Sequence, residues 1–185
     1  MAERADVRRN RERLLDAAAT AFGAAETTAA PVSLEAIARA AGVGIGTLYR
    51  HFPTREALVE AVYRAELAEV CGCAAELLDT HPPALALRRW MDRYAAFVGA
   101  KRGMAESLLV VLESGSIDRN ETREQIVAAV GLLVDACAAA GALRAAVRAD
   151  DVVSSLLGIC IASGSVEQTQ RLLDLLQAGI VVTEC

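Results

Sequence analysis

The segment that decides the fold spans residues 34–58 and reads LEAIARAAGVGIGTLYRHFPTREAL. Its first part predicts a short helix over residues 34–41, because apolar residues recur on one side at helical spacing. Gly42 then occupies the position where a helix can end in the left-handed conformation that glycine tolerates. A second short helix is predicted over residues 45–52, and Pro53 ends it. Two short helices joined by a glycine turn indicate a helix-turn-helix.

Helical patterns continue on both sides of this segment, and no stretch is typical of a strand. A first helix is predicted from near Asp6 to Ala25, Ser33 is predicted to cap the second helix, and Thr54 is placed to cap a fourth. Breaks such as His81-Pro82-Pro83 separate the later helices. We therefore predict an all-α fold of nine helices, with a three-helix head over residues 1–54 and a body over 55–185 whose helices cover 55–78, 84–101, 104–112, 119–140, 150–163 and 166–182.

Composition excludes several classes of protein. The chain has 185 residues, of which 54% are hydrophobic, but no apolar run is long enough to predict a membrane span. The N-terminus shows no apolar signal core, and five irregularly spaced cysteines indicate a reduced, cytoplasmic protein without a disulfide framework. The high apolar share favours burial in an oligomer or around a hollow ligand pocket.

Charge is divided unevenly along the chain. Residues 1–55 hold 8 Arg and 6 acidic residues, a net charge of +2, whereas residues 56–185 hold 11 basic and 18 acidic residues, a net charge of −7. The pattern indicates a mildly basic head and an acidic body. It does not by itself establish nucleic-acid binding.

A helix-turn-helix head permits DNA reading, because its second helix can lie in the major groove. Hydroxyl and imidazole groups on that helix suit phosphate oxygens, and its glycines allow close approach to the backbone. Ile45 could contact a thymine methyl group, and Arg50 could reach a guanine edge. The candidate DNA-binding residues are Arg4, Arg8, Ser33, Gly44, Ile45, Gly46, Thr47, Tyr49, Arg50, His51 and Arg55.

Structural alternatives exist for each of these signals. The Thr47-Leu48-Tyr49 run could be a helix start with one core aromatic residue, and the arginine-rich N-terminus could be a solvated helix face. The glycines between Gly42 and Gly46 superficially resemble a phosphate-binding loop. A dinucleotide-binding loop should follow a strand, however, and this one follows a helix.

The segment from Leu34 to Leu58 resembles the DNA-binding signature of TetR-family transcriptional regulators over about 25 contiguous residues. The resemblance implies an all-α homodimer with an N-terminal reading head and a C-terminal body that binds a ligand and dimerises. It also implies DNA contacts at Ile45, Gly46, Thr47, Tyr49, His51 and Arg55. Two departures are Gly44, where the family often has a polar residue, and Pro31 in a segment that often carries an aromatic residue.

The predicted fifth helix carries three of the seven aromatic residues of the chain. Aromatic side chains there could line an effector pocket, and plain core packing is an equal alternative. The candidate pocket residues are Cys71, Trp90, Tyr94, Phe97, Met104, Leu108, Leu133 and Cys137. We expect no metal and no cofactor, because Cys71 and Cys73 lie about 200° apart around a helix and the chain has only two histidines.

The last two predicted helices carry an apolar stripe interrupted by small residues. Used twice across a two-fold axis, this stripe could form a four-helix dimer interface. Burial inside the monomer is the alternative. The candidate interface residues are Val153, Leu156, Ile159, Cys160, Leu172, Leu175, Leu176 and Gly179.

These features predict a DNA-binding transcriptional regulator, in the form of a ligand-responsive repressor that binds a palindromic operator as a homodimer. Its partners would be double-stranded DNA and an unknown small-molecule effector. An enzyme is not expected, since the sequence shows no nucleophile elbow and no paired acids. The alternative is a small-molecule-binding or partner-binding protein of the same fold that has lost sequence-specific DNA binding.

Overall fold

The computed structural model describes residues 2–24 and 32–182, and these fold into nine α-helices with no strand. The predicted all-α class is confirmed. A short 3₁₀ helix, Lys101–Met104, follows the fifth α-helix. The helices are α1 Ala2–Ala24, α2 Leu34–Ala40, α3 Ile45–His51, α4 Arg55–Thr80, α5 Pro83–Ala100, α6 Ala105–Glu113, α7 Arg119–Ala139, α8 Ala149–Ala162 and α9 Val166–Ile180.

Most helix boundaries lie within two residues of the predicted ones. The largest difference is at the start of α1, which begins at Ala2 instead of near Asp6. This extra turn consists of alanine, glutamate and arginine, all of which favour helix. Ala25 and Pro31, which entered the sequence argument, lie outside the described residues.

The chain divides into two compact units. Unit 1 contains the residues up to 66 together with residues 99–118. In it, α1 packs against α2 and against the 3₁₀ helix, and α2 packs against α3. Its core contains fully buried side chains from four helices, namely Leu14, Phe22, Ile37, Leu48 and Leu58.

Unit 2 contains residues 67–98 and the chain from residue 119 onward. Here α7 packs against α8, and α8 packs against α9. An antiparallel bridge between Leu143 and Val181 joins the chain beyond α7 to the end of α9. The fully buried side chains include Leu87, Trp90, Met91, Leu133, Leu156 and Leu173.

The turn between α2 and α3 is fixed by backbone hydrogen bonds. Gly42 has a φ of +65° and ends α2, as the sequence predicted. The Val43 N–H donates to the Ala38 carbonyl at 3.0 Å and the Gly42 N–H donates to the Arg39 carbonyl at 3.0 Å, which is a Schellman arrangement. This turn satisfies the last carbonyls of α2 and sets the direction in which α3 leaves.

The N-termini of α2 and α4 are capped as predicted. The Ser33 hydroxyl accepts from the Ala36 N–H at 3.3 Å, and the Thr54 hydroxyl accepts from the Ala57 N–H at 3.1 Å. Ser33 also donates to the Glu35 carboxylate, and this hydrogen bond lowers the pKa of that carboxyl group. One side-chain cap therefore marks the start of the helix-turn-helix segment, and a second marks the start of the helix that follows it.

Replacing Gly42 with alanine should destabilise the protein by about 1–2 kcal/mol, because a Cβ is disfavoured at positive φ. The added Cβ would also overlap the Arg13 guanidinium. Gly44→Ala is the matched control, since Gly44 has a φ of −73° and open space around its Cα. Its effect should stay within about 0.5 kcal/mol. Thermal or urea unfolding measures both, and equal stabilities of the two variants would contradict the role given to Gly42.

Candidate nucleic-acid interface

The second helix of the helix-turn-helix, α3, presents one face to solvent and buries the other. Leu48 is fully buried and anchors the helix in unit 1. Ile45 and Tyr49 are 37% and 45% exposed. Gly46 and Arg50 are also exposed. At about 100° per residue these four residues share one side of α3. We call them the α3 face.

The start of α3 is open to solvent. Gly44 caps the helix with an extended backbone, and its carbonyl accepts from the Thr47 N–H at 2.9 Å. Nothing lies within 4 Å of where a Cβ would stand at Gly44 or at Gly46. Another molecule could therefore come into contact with the backbone of the first turn of α3.

Two further predicted contact residues lie at the edge of the α3 face. Thr47 and His51 are half-buried. The His51 ring lies 6.2 Å from the ring of Phe52, which is buried. These two side chains border the exposed face and do not form its centre.

The predicted contacts from other elements are more varied. Ser33 is exposed, but its hydroxyl is already engaged at the start of α2. Arg8 is exposed on α1 and pairs with Glu12 at 3.6 Å. Arg4 lies in α1, but its side chain lies outside the described part of the structure.

Arg55, at the start of α4, makes contacts that the sequence did not reveal. Its Nη1 donates to the Val32 carbonyl at 2.6 Å and its Nε donates to the Ser107 hydroxyl at 3.1 Å. The guanidinium also stands 5.6 Å from the centre of the Phe22 ring. The partners lie 23 and 52 positions away in sequence, so no local motif could have indicated them.

The predicted pocket residues divide between the two units. Met104 and Leu108 are buried in unit 1, whereas the others belong to unit 2. In unit 2 the Trp90 and Tyr94 rings stack with their centres 5.5 Å apart, and Tyr94 lies 6.3 Å from Phe97. The Trp90 N–H donates to the Val70 carbonyl at 2.8 Å, so a backbone group satisfies it. Leu133 and Cys137 are fully buried.

Four cysteines lie in the described part of unit 2, and none of these four forms a disulfide. Cys71 is half-buried, and Cys73, Cys137 and Cys160 are buried. Burial raises the pKa of the Cys71 and Cys137 thiols, which keeps them protonated and poorly nucleophilic near neutral pH. In the part of the chain that the structure describes, no group of three histidine, cysteine or acidic side chains could hold a metal ion.

The predicted interface residues of α8 lie mainly inside unit 2. Val153, Leu156 and Cys160 are buried and Ile159 is partly buried, so the first three have almost no area left to offer a partner. The large apolar residues of α8 that are exposed are Leu157 and the 70%-exposed Ile161. The sequence stripe and the exposed face of α8 are thus different sides of the helix.

The α9 residues of the predicted interface are more accessible. Leu175 is 68% exposed, Gly179 is exposed, and Leu172 and Leu176 are half-buried. Leu173, which the sequence argument did not single out, is instead the fully buried residue of α9.

The open cavities among the described residues include two that each lie within one unit. In unit 2, a cavity of about 630 Å³ lies among Pro83, Ala142, Gln177 and Val181. In unit 1, a groove of about 440 Å³ lies among Arg11, His51, Phe52 and Arg64. Neither contains the aromatic residues that the sequence argument assigned to a pocket. No described helix has the length and apolar character that crossing a membrane requires.

Comparison with known proteins places both parts of the chain. Residues 14–62 match the family model of bacterial regulatory proteins of the tetR family, and residues 82–182 match the C-terminal domain model of SbtR-like transcriptional regulators. No curated protein matches the sequence significantly.

Solved structures give the same result. A TetR transcriptional regulator from Streptomyces coelicolor is 44% identical over 94% of this chain and 99% of its own, with a TM-score of 0.82. A TetR regulatory protein from Mycobacterium vanbaalenii is 30% identical over 97% and 99% of the two chains, with a TM-score of 0.74. A TetR-family regulator from Rhodococcus sp., at 18% identity over 93% and 98% and a TM-score of 0.61, shares the fold. The chain belongs to the TetR family and is a DNA-binding transcriptional regulator.

Proposed function

We propose that the α3 face enters the major groove of an operator and that the chain acts there as a ligand-responsive repressor. The observation that carries this is the exposure of Ile45 and Tyr49 on a helix otherwise anchored by buried Leu48. Ile45 and Tyr49 lie about 40° apart around α3, so a partner on that side would cover both. The glycines at positions 44 and 46 allow that partner to come close.

The side chains of the α3 face, and Thr47 at its edge, differ in the chemistry that they offer to DNA. The hydroxyl groups of Tyr49 and Thr47 suit phosphate oxygens, which position the protein without reading sequence. Arg50 can donate two hydrogen bonds to a guanine edge, and Ile45 can contact a thymine methyl group. Arg4, Arg8, Ser33 and His51 complete the proposed contacts at the rim of the interface.

TetR regulators typically act as dimers, and we propose that this chain dimerises through α8 and α9. The exposed residues that support this are Leu157 and Ile161 on α8 and Leu175 on α9. Gly158 and Gly179 have open space around them and would allow the helices of two copies to approach closely. Two heads held at fixed separation would bind a palindromic site.

The remaining proposals concern the effector and the setting. We propose a small-molecule effector of unidentified chemistry, in keeping with ligand response in the family. TetR regulators are generally not enzymes, and we propose no catalytic activity for this chain. Its site of action would be the cytoplasm, where the bacterial chromosome lies.

Substitutions in the α3 face should distinguish a residue that contacts phosphates from a residue that reads a base. Tyr49→Ala should weaken binding to the DNA upstream of the chain's own gene and to random DNA by the same factor, because a phosphate contact carries no sequence information. Arg50→Ala should cost about 1–3 kcal/mol on the specific site alone and relax the preference at one base. Gel shifts at several salt concentrations measure both.

Arg93→Ala, an exposed arginine of α5, is the control and should leave binding unchanged. A uniform loss from Arg50→Ala would contradict its base-reading role. A wild-type chain with no preference over random DNA would instead support a ligand-binding or partner-binding protein that has lost operator specificity.

Leu175→Glu should break the proposed dimer. The substitution occurs twice across a two-fold axis, and each copy would bury a charge in an apolar contact. We expect dimer affinity to fall by roughly 100-fold or more. Sedimentation velocity measures this, and Leu85→Glu provides a matched control at an exposed leucine of α5. A Leu175→Glu variant that sediments like wild type would rule out this interface.

A further inference from the structure

The side chain of Arg55 links the two ends of the helix-turn-helix segment. Its Nη1 donates to the carbonyl of Val32, which directly precedes the cap residue Ser33. Arg55 is also the first residue of α4, immediately after the segment. One hydrogen bond of 2.6 Å therefore ties together the two ends of residues 33–54.

The same guanidinium binds a third part of unit 1. Its Nε donates to the hydroxyl of Ser107, a residue of α6 that is only 8% exposed. Its plane stands near the buried ring of Phe22 in α1. We call Arg55, Val32, Ser107 and Phe22 together the Arg55 clasp. It connects the start of α2 and the start of α4 to α1 and α6.

These contacts use two of the five N–H donors of the Arg55 guanidinium. An arginine holds a phosphate bidentately either through Nη1 and Nη2 or through Nε and Nη2. Nε has a single hydrogen and donates it to Ser107, whereas Nη1 donates one of its two hydrogens to Val32. A bidentate phosphate contact along the Nε–Nη2 edge would therefore require the bond to Ser107 to open.

We propose that Arg55 is a positioning residue for DNA binding, which holds α2 and α3 in place and does not itself contact a phosphate. This inference rests on DNA binding through the α3 face. A short helix such as α3 has little stability of its own, so its orientation depends on what holds its flanks. With the clasp broken, the α3 face adopts a wider range of orientations and DNA affinity falls.

Three variants of the full-length chain test the proposal: Ser107→Ala, Arg55→Lys and Arg55→Gln. The probe is the DNA upstream of the chain's own gene, and the temperature is one at which circular dichroism shows every variant fully folded. Ser107→Ala leaves Arg55 intact but removes one clasp partner. Arg55→Lys keeps the charge but cannot reproduce the planar fork that reaches both Val32 and Ser107. We expect each of these two to lose roughly 10-fold in affinity.

Arg55→Gln tests for a phosphate contact through salt dependence. If Arg55 neutralises a phosphate, the slope of log K against log salt concentration falls by about 0.9 for each head. We expect the slope to stay at its wild-type value while affinity falls. The double variant Arg55→Lys with Ser107→Ala should lose little more than either single variant, because both break the same clasp.

Ser114→Ala and Arg93→Lys are the matched controls. The Ser114 hydroxyl bonds within its own loop region of unit 1, and Arg93 is exposed in unit 2. Both should bind DNA like wild type. Wild-type affinity in Ser107→Ala or Arg55→Lys, a reduced slope in Arg55→Gln, or additive losses in the double variant would each overturn the proposal. The proposed function has its own test. It fails if the wild type and Tyr49→Ala bind every DNA with the same affinity, whatever the clasp variants show.

Discussion

The burial of Leu48 is the interaction on which the exposed α3 face depends. A helix of seven residues is far below the length at which helices persist alone in water, so α3 exists because unit 1 holds it. Leu48 is its single fully buried side chain. The same anchor that stabilises the helix therefore decides which of its sides faces outward, and the exposure of Tyr49 and Ile45 is a consequence of it.

Packing alone does not fix how such a short helix is aimed. The Schellman turn at Gly42 sets the angle between α2 and α3, and it acts through backbone hydrogen bonds within the segment. The bond from Arg55 to Val32 acts at the outer ends of the same segment. The turn at Gly42 thus restrains the angle between α2 and α3, and the bond from Arg55 to Val32 restrains the two ends of the segment. We expect that removing either would leave unit 1 folded, with α3 less well oriented.

Local chemistry explains what could be predicted from the sequence. Gly42, Ser33 and Thr54 act on neighbours within five positions, and their roles as helix stop and helix caps are confirmed. The partners of Arg55 and of the Trp90 N–H lie 20 to 52 positions away, and only the tertiary fold brings them close. A side chain whose role depends on distant acceptors carries no signal in its own neighbourhood.

The faces of α8 show a second limit of sequence patterns. The stripe of Val153, Leu156 and Cys160 predicts a buried side of the helix, but it cannot say whether the monomer or a second copy buries it. Because Leu157 and Ile161 are also apolar, α8 is hydrophobic on more than one side. A helix of this kind fits a position between its own unit and a partner, and its two apolar sides then serve different contacts.

Polar contacts on α9 explain how its apolar side comes to face outward. Gln177 donates to the Ala84 carbonyl at 2.8 Å, and Asp174 accepts from Arg88 at 2.7 Å, so α5 holds α9 by hydrogen bonds. At about 100° per residue, Leu172, Leu175 and Gly179 lie on the opposite side. With α9 held in this way, Leu175 keeps apolar area in water, which is unfavourable in a lone monomer. A two-fold partner on this side would remove that cost in both copies at once, and the bonds to α5 would hold the side in place before association.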